Sequence, residues 1–171
     1  KAQNACRDGQ IMLDHNTASI PDLGECLWYL EDPEQSLTID EVSAAGEDRL
    51  TRHQGGVLNF GYTGSAYWTR FDLSTRRLTS RSDWILELAL PLVDDVRLYL
   101  VRDGQLVEQR QTGYLDSWDD RDLAVPNPTF RLRLSPDTVT TVAFTVGEGV
   151  AYEYNRVRTG GSGQLRVRCP L

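Results

Sequence analysis

From residue 57 onward the sequence alternates apolar and polar side chains in short runs, and each run ends at a cluster of turn residues. Side chains of a β-strand point to two faces in turn, so such a run buries one face and presents the other. Trp84, Leu86, Leu88 and Leu90 share a face against Glu87, and Val96, Leu98 and Leu100 share one against Arg97 and Tyr99. Phe130, Leu132 and Leu134 alternate with Arg131 and Arg133, and Val142, Phe144 and Val146 follow the same rule. Asp103-Gly104 is a two-residue hairpin signal that returns the chain through residues 105–111. No stretch sustains a long helical period and no internal repeat is found. The pattern predicts an all-β chain folded as a β-sandwich, with a jelly roll as its arrangement.

The run 62–73 carries a different chemistry on each face. Tyr67, Thr69, Phe71 and Leu73 point one way and read as core, while Trp68, Arg70 and Asp72 point the other. An indole, a guanidinium and a carboxylate in one line cost too much to bury without partners, so this face is a satisfied network or a recognition surface. Adding the outward positions of the other strands gathers Trp68, Arg70, Glu87, Arg97, Tyr99, Arg131 and Arg133 on one expected face. Aromatic plates beside arginines suit a polar or sugar-like ligand, with Tyr114 and Trp118 on a loop able to cover it. The competing reading is an ordinary solvated face with charges paired across strands, Trp68 an anchor and Arg70 its stacking partner.

Upstream, residues 1–25 are mostly polar and predict an N-terminal arm, leaving 26–171 as one β-sandwich domain. Residues 26–30 form a short apolar run stopped by Pro33; 36–42 fits a strand or the start of a short helix, and 44–56 a charged loop. A chain of 171 residues is one domain long enough to bury a core without staples. Cys6, Cys26 and Cys169 are too dispersed for a zinc site. A Cys6–Cys26 bridge would tie down the arm, a Cys26–Cys169 bridge would join the two ends, and three thiols are the third possibility; the first is carried forward as the expectation, and it requires an oxidising compartment.

Composition narrows the partners. The net charge is −7, Lys1 is the single lysine, and the arginines are spread without a basic stripe, which argues against nucleic acid. No apolar run reaches the twenty or so residues needed to cross a bilayer, and no signal peptide is present. The chain begins on Lys1 rather than Met, the expectation being a processed protein or a fragment of a longer one. The two histidines, His15 and His53, lie in polar loops without a nucleophile elbow, and Asp94 and Asp95 point to opposite faces if they lie in a strand, so no enzyme is expected. Asp116, Asp119, Asp120 and Asp122 crowd one loop and offer oxygen ligands to calcium, although Arg121 among them equally suits a solvated acidic loop. No other cofactor is expected.

The run Tyr29-Leu30-Glu31-Asp32-Pro33, the stretch 37–42, the W-x-R-F motif within 60–71, the P-L-x-D-x-V-x-L-Y motif within 90–99, and Arg121 followed by Phe130-Arg131-Leu132 occur in this order. Together they resemble the extracellular domain type 2 of bacterial seven-transmembrane receptors with diverse intracellular signalling modules, over roughly residues 28–146. The resemblance implies a periplasmic jelly-roll domain similar to carbohydrate-binding modules, set ahead of the membrane helices of an inner-membrane protein whose output is a histidine kinase or a diguanylate cyclase. Trp68, Arg70, Asp94 and Tyr99 match the family's motifs, whereas 147–163 is longer and richer in tyrosine than the family's usual close. The expected role is that of a non-catalytic sensor binding a small polar or carbohydrate-like ligand, or a partner ectodomain, with a homodimer as one way to make two states. The alternatives are a carbohydrate-binding module of a secreted enzyme and a calcium-responsive binding domain.

Overall fold

The computed structural model describes residues 6–17, 19–20, 23–54, 58–59, 65–88, 96–112, 128–146, 162–163 and 165–168. Its strands are β1 (Cys6–Arg7), β2 (Gln10–Met12), β3 (Ser19–Ile20), β4 (Trp28–Asp32), β5 (Thr51–Arg52), β6 (Leu58–Asn59) and β7 (Ala66–Ser74), followed by β8 (Ser82–Leu88), β9 (Val96–Arg102), β10 (Gln105–Thr112), β11 (Thr129–Leu134), β12 (Val139–Val146), β13 (Ser162–Gly163) and β14 (Leu165–Arg168). The one α-helix among the described residues, α1, spans Ile39–Ala44 between β4 and β5.

Two sheets form the sandwich. The first runs β1-β2-β7-β12-β9-β10, with β4 also on β7 and β5 on β4; the second runs β11-β8-β14-β3; β6 and β13 make a separate pair. Strands next to each other in the sheet are often far apart in the chain, as where β12 lies between β7 and β9, while β7 and β8, or β11 and β12, follow in sequence but sit in opposite sheets. This is the jelly-roll β-sandwich that alternation predicts.

The faces fall as the period of two requires. Phe71, Leu73, Leu98, Leu100, Val142 and Phe144 of the first sheet pack against Trp84, Leu86, Leu88, Phe130, Leu132 and Leu134 of the second. The β9–β10 hairpin turns on Asp103 and Gly104, with φ of 49° and 73°. Both residues are left-handed, and glycine adopts that conformation without a Cβ penalty.

The N-terminal residues are part of this core, which corrects the expectation of a polar arm lying outside it. Ile11 and Leu13 are fully buried, Ile20 and Leu23 nearly so; β2 pairs in parallel with the end of β7 and β3 pairs with β14. Ile11-Met12-Leu13 is a run of three apolar residues and Ile20 and Leu23 stand singly, so strands of two or three residues show no period and the sequence conceals them. Cys6 and Cys26 form a disulfide across this region, with Cα atoms 5.6 Å apart.

Candidate functional site

The outer face of the first sheet is where the sequence points. In register, Leu30 of β4 stands beside Trp68 of β7, then Thr145 of β12 and Arg97 of β9; one step along, Arg70, Ala143, Tyr99 and Gln109 of β10 form a parallel row. The ring centroids of Trp68 and Tyr99 are 5.4 Å apart with planes tilted by 34°. Both rings are buried, at 5% and 8% exposure, because α1 and the segment leading to it lie over them. Val42 and Ala143 complete a small second core with the two rings, against which Leu30, Leu37 and Ile39 pack.

The cover is fastened at both ends. Thr38 caps α1: its side chain accepts from Glu41 N, and its backbone N–H donates to Glu41 Oε2 at 2.8 Å, a complete capping box. The Thr38 hydroxyl also donates to Glu41 Oε2 at 3.1 Å, and the donations from the Thr38 backbone N–H and, second, its hydroxyl hold the Glu41 carboxyl below its ordinary range. At the other end Arg70 Nη1 donates to the carbonyls of Val42, Ser43 and Ala45 at 2.8, 3.1 and 2.9 Å. The Val42 carbonyl also accepts from Ala45 N in the C-cap, while those of Ser43 and Ala45 are of the kind a helix end leaves open. Burial of the guanidinium pulls its pKa below the ordinary arginine value, against the opposing charge of Asp72.

Asp32, 3% exposed, fixes the turn before α1. Its Oδ1 accepts from Ser36 N at 3.0 Å, and its Oδ2 from Leu37 N at 3.0 Å and from the Trp68 indole N–H at 3.4 Å. Between this turn and the sheet opens a cavity of about 550 Å³ lined by Asp32, Gln35, Leu37, Thr38, Ile39, Ala66, Trp68, Arg97, Tyr99, Gln109 and Thr145. That volume lies within the range of small-molecule sites.

Of the residues that the sequence nominates, Trp68, Arg97 and Tyr99 come together in this cavity. Arg70 stands beside it on the same sheet but is committed to α1. Glu87 is on β8 in the other sheet, opposite Thr129 and Arg166, and Arg131 is likewise on β11. The expected single face therefore divides between two sheets packed about 10 Å apart, with Glu87, Arg131 and Arg133 on the far one. Alternation assigns a side chain to a face of its own strand but not the strand to a sheet. Asp94 and Trp118 lie outside the described residues, as do the four aspartates at 116, 119, 120 and 122 and Cys169. Among the described residues no group of three acidic, histidine or cysteine side chains is placed to hold a metal ion. Sequence reasoning did not identify Asp32, Leu37, Ile39 or Gln109 as site residues; the signal available was Thr38-x-x-Glu41, a capping box that sets a helix and its preceding turn against the strand.

The model of the 7TMR-DISM extracellular 2 family matches residues 24–151, most of the chain and all of the cavity lining. The chain belongs to this family. Membership makes it the extracellular sensor domain of a receptor, a non-catalytic class, and places it outside the cytoplasm in an extracellular or periplasmic location. Among the described residues no helix is long and apolar enough to cross a membrane. A comparison with curated proteins finds no match.

Solved structures with similar architecture include a β-glucosidase from Kluyveromyces marxianus (13% identity, TM-score 0.46, 85% of this chain and 16% of that one). Others are a family 35 carbohydrate-binding module from Clostridium thermocellum (13%, TM-score 0.32, 67% and 86%) and the module CBM36 in complex with calcium and xylotriose (10%, TM-score 0.31, 83% and 98%). This chain thus spans a small part of the β-glucosidase's length, and likenesses of this strength carry no argument about ligand or activity.

Proposed function

We propose that this domain is the periplasmic ligand-sensing input of a bacterial inner-membrane receptor, and that a small polar or carbohydrate-like molecule in the Trp68–Tyr99 cavity biases an intracellular histidine kinase or diguanylate cyclase. The observation supporting the site is the cavity itself, a concave space of about 550 Å³ with an aromatic floor and convergent polar groups, roofed by a short helix fastened at both ends. For such a ligand to signal, it must bind one arrangement of the receptor better than the other. Two copies of the domain side by side would supply two such arrangements, and a partner ectodomain could take the place of the second copy. The reading needs no cofactor, and a resident calcium in the aspartate loop would be an addition to it rather than a part of it.

The test is a thermal-melt screen of the chain against sugars, amino acids, short carboxylates and calcium, repeated on Ala66→Phe, which fills the cavity from a half-exposed position. A ligand at 100 times its dissociation constant adds about 2.7 kcal/mol to stability. The expected outcome is a raised melt for at least one organic compound that disappears in Ala66→Phe. A shift that survives Ala66→Phe would move the site elsewhere, and a shift with calcium alone would favour the metal-responsive alternative.

A further inference from the structure

The lining of the cavity is sorted by side, and the sorting indicates what kind of molecule fits; this inference rests on reading the cavity as the sensor's ligand site. The sheet side carries Arg97, Thr145 and Gln109 beside the two rings. On the opposite wall the three polar residues, Asp32, Gln35 and Thr38, all have partners within the protein. Asp32 accepts from Ser36 N, Leu37 N and the Trp68 indole, and the Thr38 hydroxyl is closed in its exchange with Glu41. What that wall offers a ligand is mainly the hydrocarbon of Leu37 and Ile39, which pack against the ring cluster.

The charges are equally uneven. Asp32 and Arg97 are the two charged lining residues, and the Asp32 carboxylate is buried under three donors whereas Arg97 is exposed. Arg97 has a contact of its own within the protein, and its guanidinium carries five N–H donors in a planar fork suited to carboxylates. A neutral sugar asks for hydroxyl partners around its whole ring, and one wall here is mostly hydrocarbon or polar groups that already have partners.

We propose that the cavity binds a monocarboxylate with an apolar body. The carboxylate meets Arg97, with the Thr145 hydroxyl and the Gln109 amide beside it, and the body lies along the cavity edges of Trp68 and Tyr99 beside Leu37 and Ile39. Thr145 is the register partner of both Trp68 and Arg97, so the anchor and the indole stand two strand spacings apart, about 10 Å of backbone separation. One aromatic ring or a short branched chain fills that span.

The experiment titrates the chain with phenylacetate and 4-methylpentanoate, with phenylacetamide as the uncharged counterpart, and with glucose and xylose, following the melt until it stops rising. Wild type is compared with Arg97→Gln and Ala66→Phe. Both acids are expected to raise the melting temperature by about 5–10 °C near 100 times the dissociation constant. The amide should do so far less, and Arg97→Gln should abolish the effect of the acids. An amide as effective as its acid on wild type would overturn the proposal whatever the variants do. Sugars active and acids inactive, with the sugar effect lost in Ala66→Phe, would overturn the carboxylate class and leave the cavity standing as the site. Silence from every compound would remove both.

Discussion

Arg70 and Arg97 show how far apart two outward arginines on one face can be in function. Arg70 is half-buried with one Nη on three carbonyls, so its loss strands acceptors that water reaches poorly; Arg97 is exposed at the cavity. Arg70→Met is expected to cost about 1–3 kcal/mol in urea unfolding, whereas Arg97→Gln should stay within about 0.5 kcal/mol of wild type. Equal losses from the two would refute this division of roles. The outward direction of both was legible from the W-x-R-F and V-x-L-Y runs, because period two decides the face. What covers each could not be read, since the covering residues come from some thirty positions upstream of Arg70. For Trp68 the same gap appears as a choice between core and recognition. The structure gives it both surroundings, a packed ring against Tyr99 and Val42 and an edge on the cavity.

At the scale of elements, α1 is the instructive case. A helix of six residues is too short to persist alone, and it is held by its capping box, by Val42 in the ring cluster and by Arg70. The lowered Glu41 carboxyl gives this support a pH dependence. Its pKa in the folded chain is below the value of 4.5 it has when free, so the unfolded chain binds more protons as pH falls through that window. The stabilisation is complete above about pH 4.5 and is lost as pH falls through the folded value. Glu41→Gln should therefore lower the melt at pH 7, and its difference from wild type should shrink toward pH 3; a constant difference across that range would show that the charge is irrelevant. The stretch 36–42 could be read as strand or helix because its apolar residues alternate while Thr38-x-x-Glu41 caps. The cap prevails because tertiary contacts supply what a six-residue helix lacks. The short strands of residues 6–20 were illegible for a related reason: two or three residues show no period, and β2 and β3 are recognised as strands only by the partners they find in β7 and β14.

For the whole molecule, the sandwich was readable because β7, β8, β9, β11 and β12 each turn an alternating set of apolar side chains into the core between the sheets, but which strands share a sheet was not, and Glu87 was misplaced with the cavity for that reason. The disulfide joins the N-terminal segment to the turn before β4 and closes a separation of 20 residues. Cys6→Ser is expected to lose about 3 kcal/mol in denaturant unfolding, and a loss under 1 kcal/mol would show that the core contacts of Ile11 and Leu13 hold the segment without it. The pairing of β12 between β7 and β9 bears on how the domain comes into being. Those two strands wait with open edges until residue 146 is available, so a chain ending at residue 138 should show no cooperative unfolding, and the complete one should refold over milliseconds to seconds, as sheets built from distant segments do. The Cys6–Cys26 bridge has no such delay. In a domain emerging stepwise outside the cytoplasm, oxidation can fasten the first 26 residues long before the central ladder exists, so the order of assembly would follow the order of arrival only at the N-terminal end.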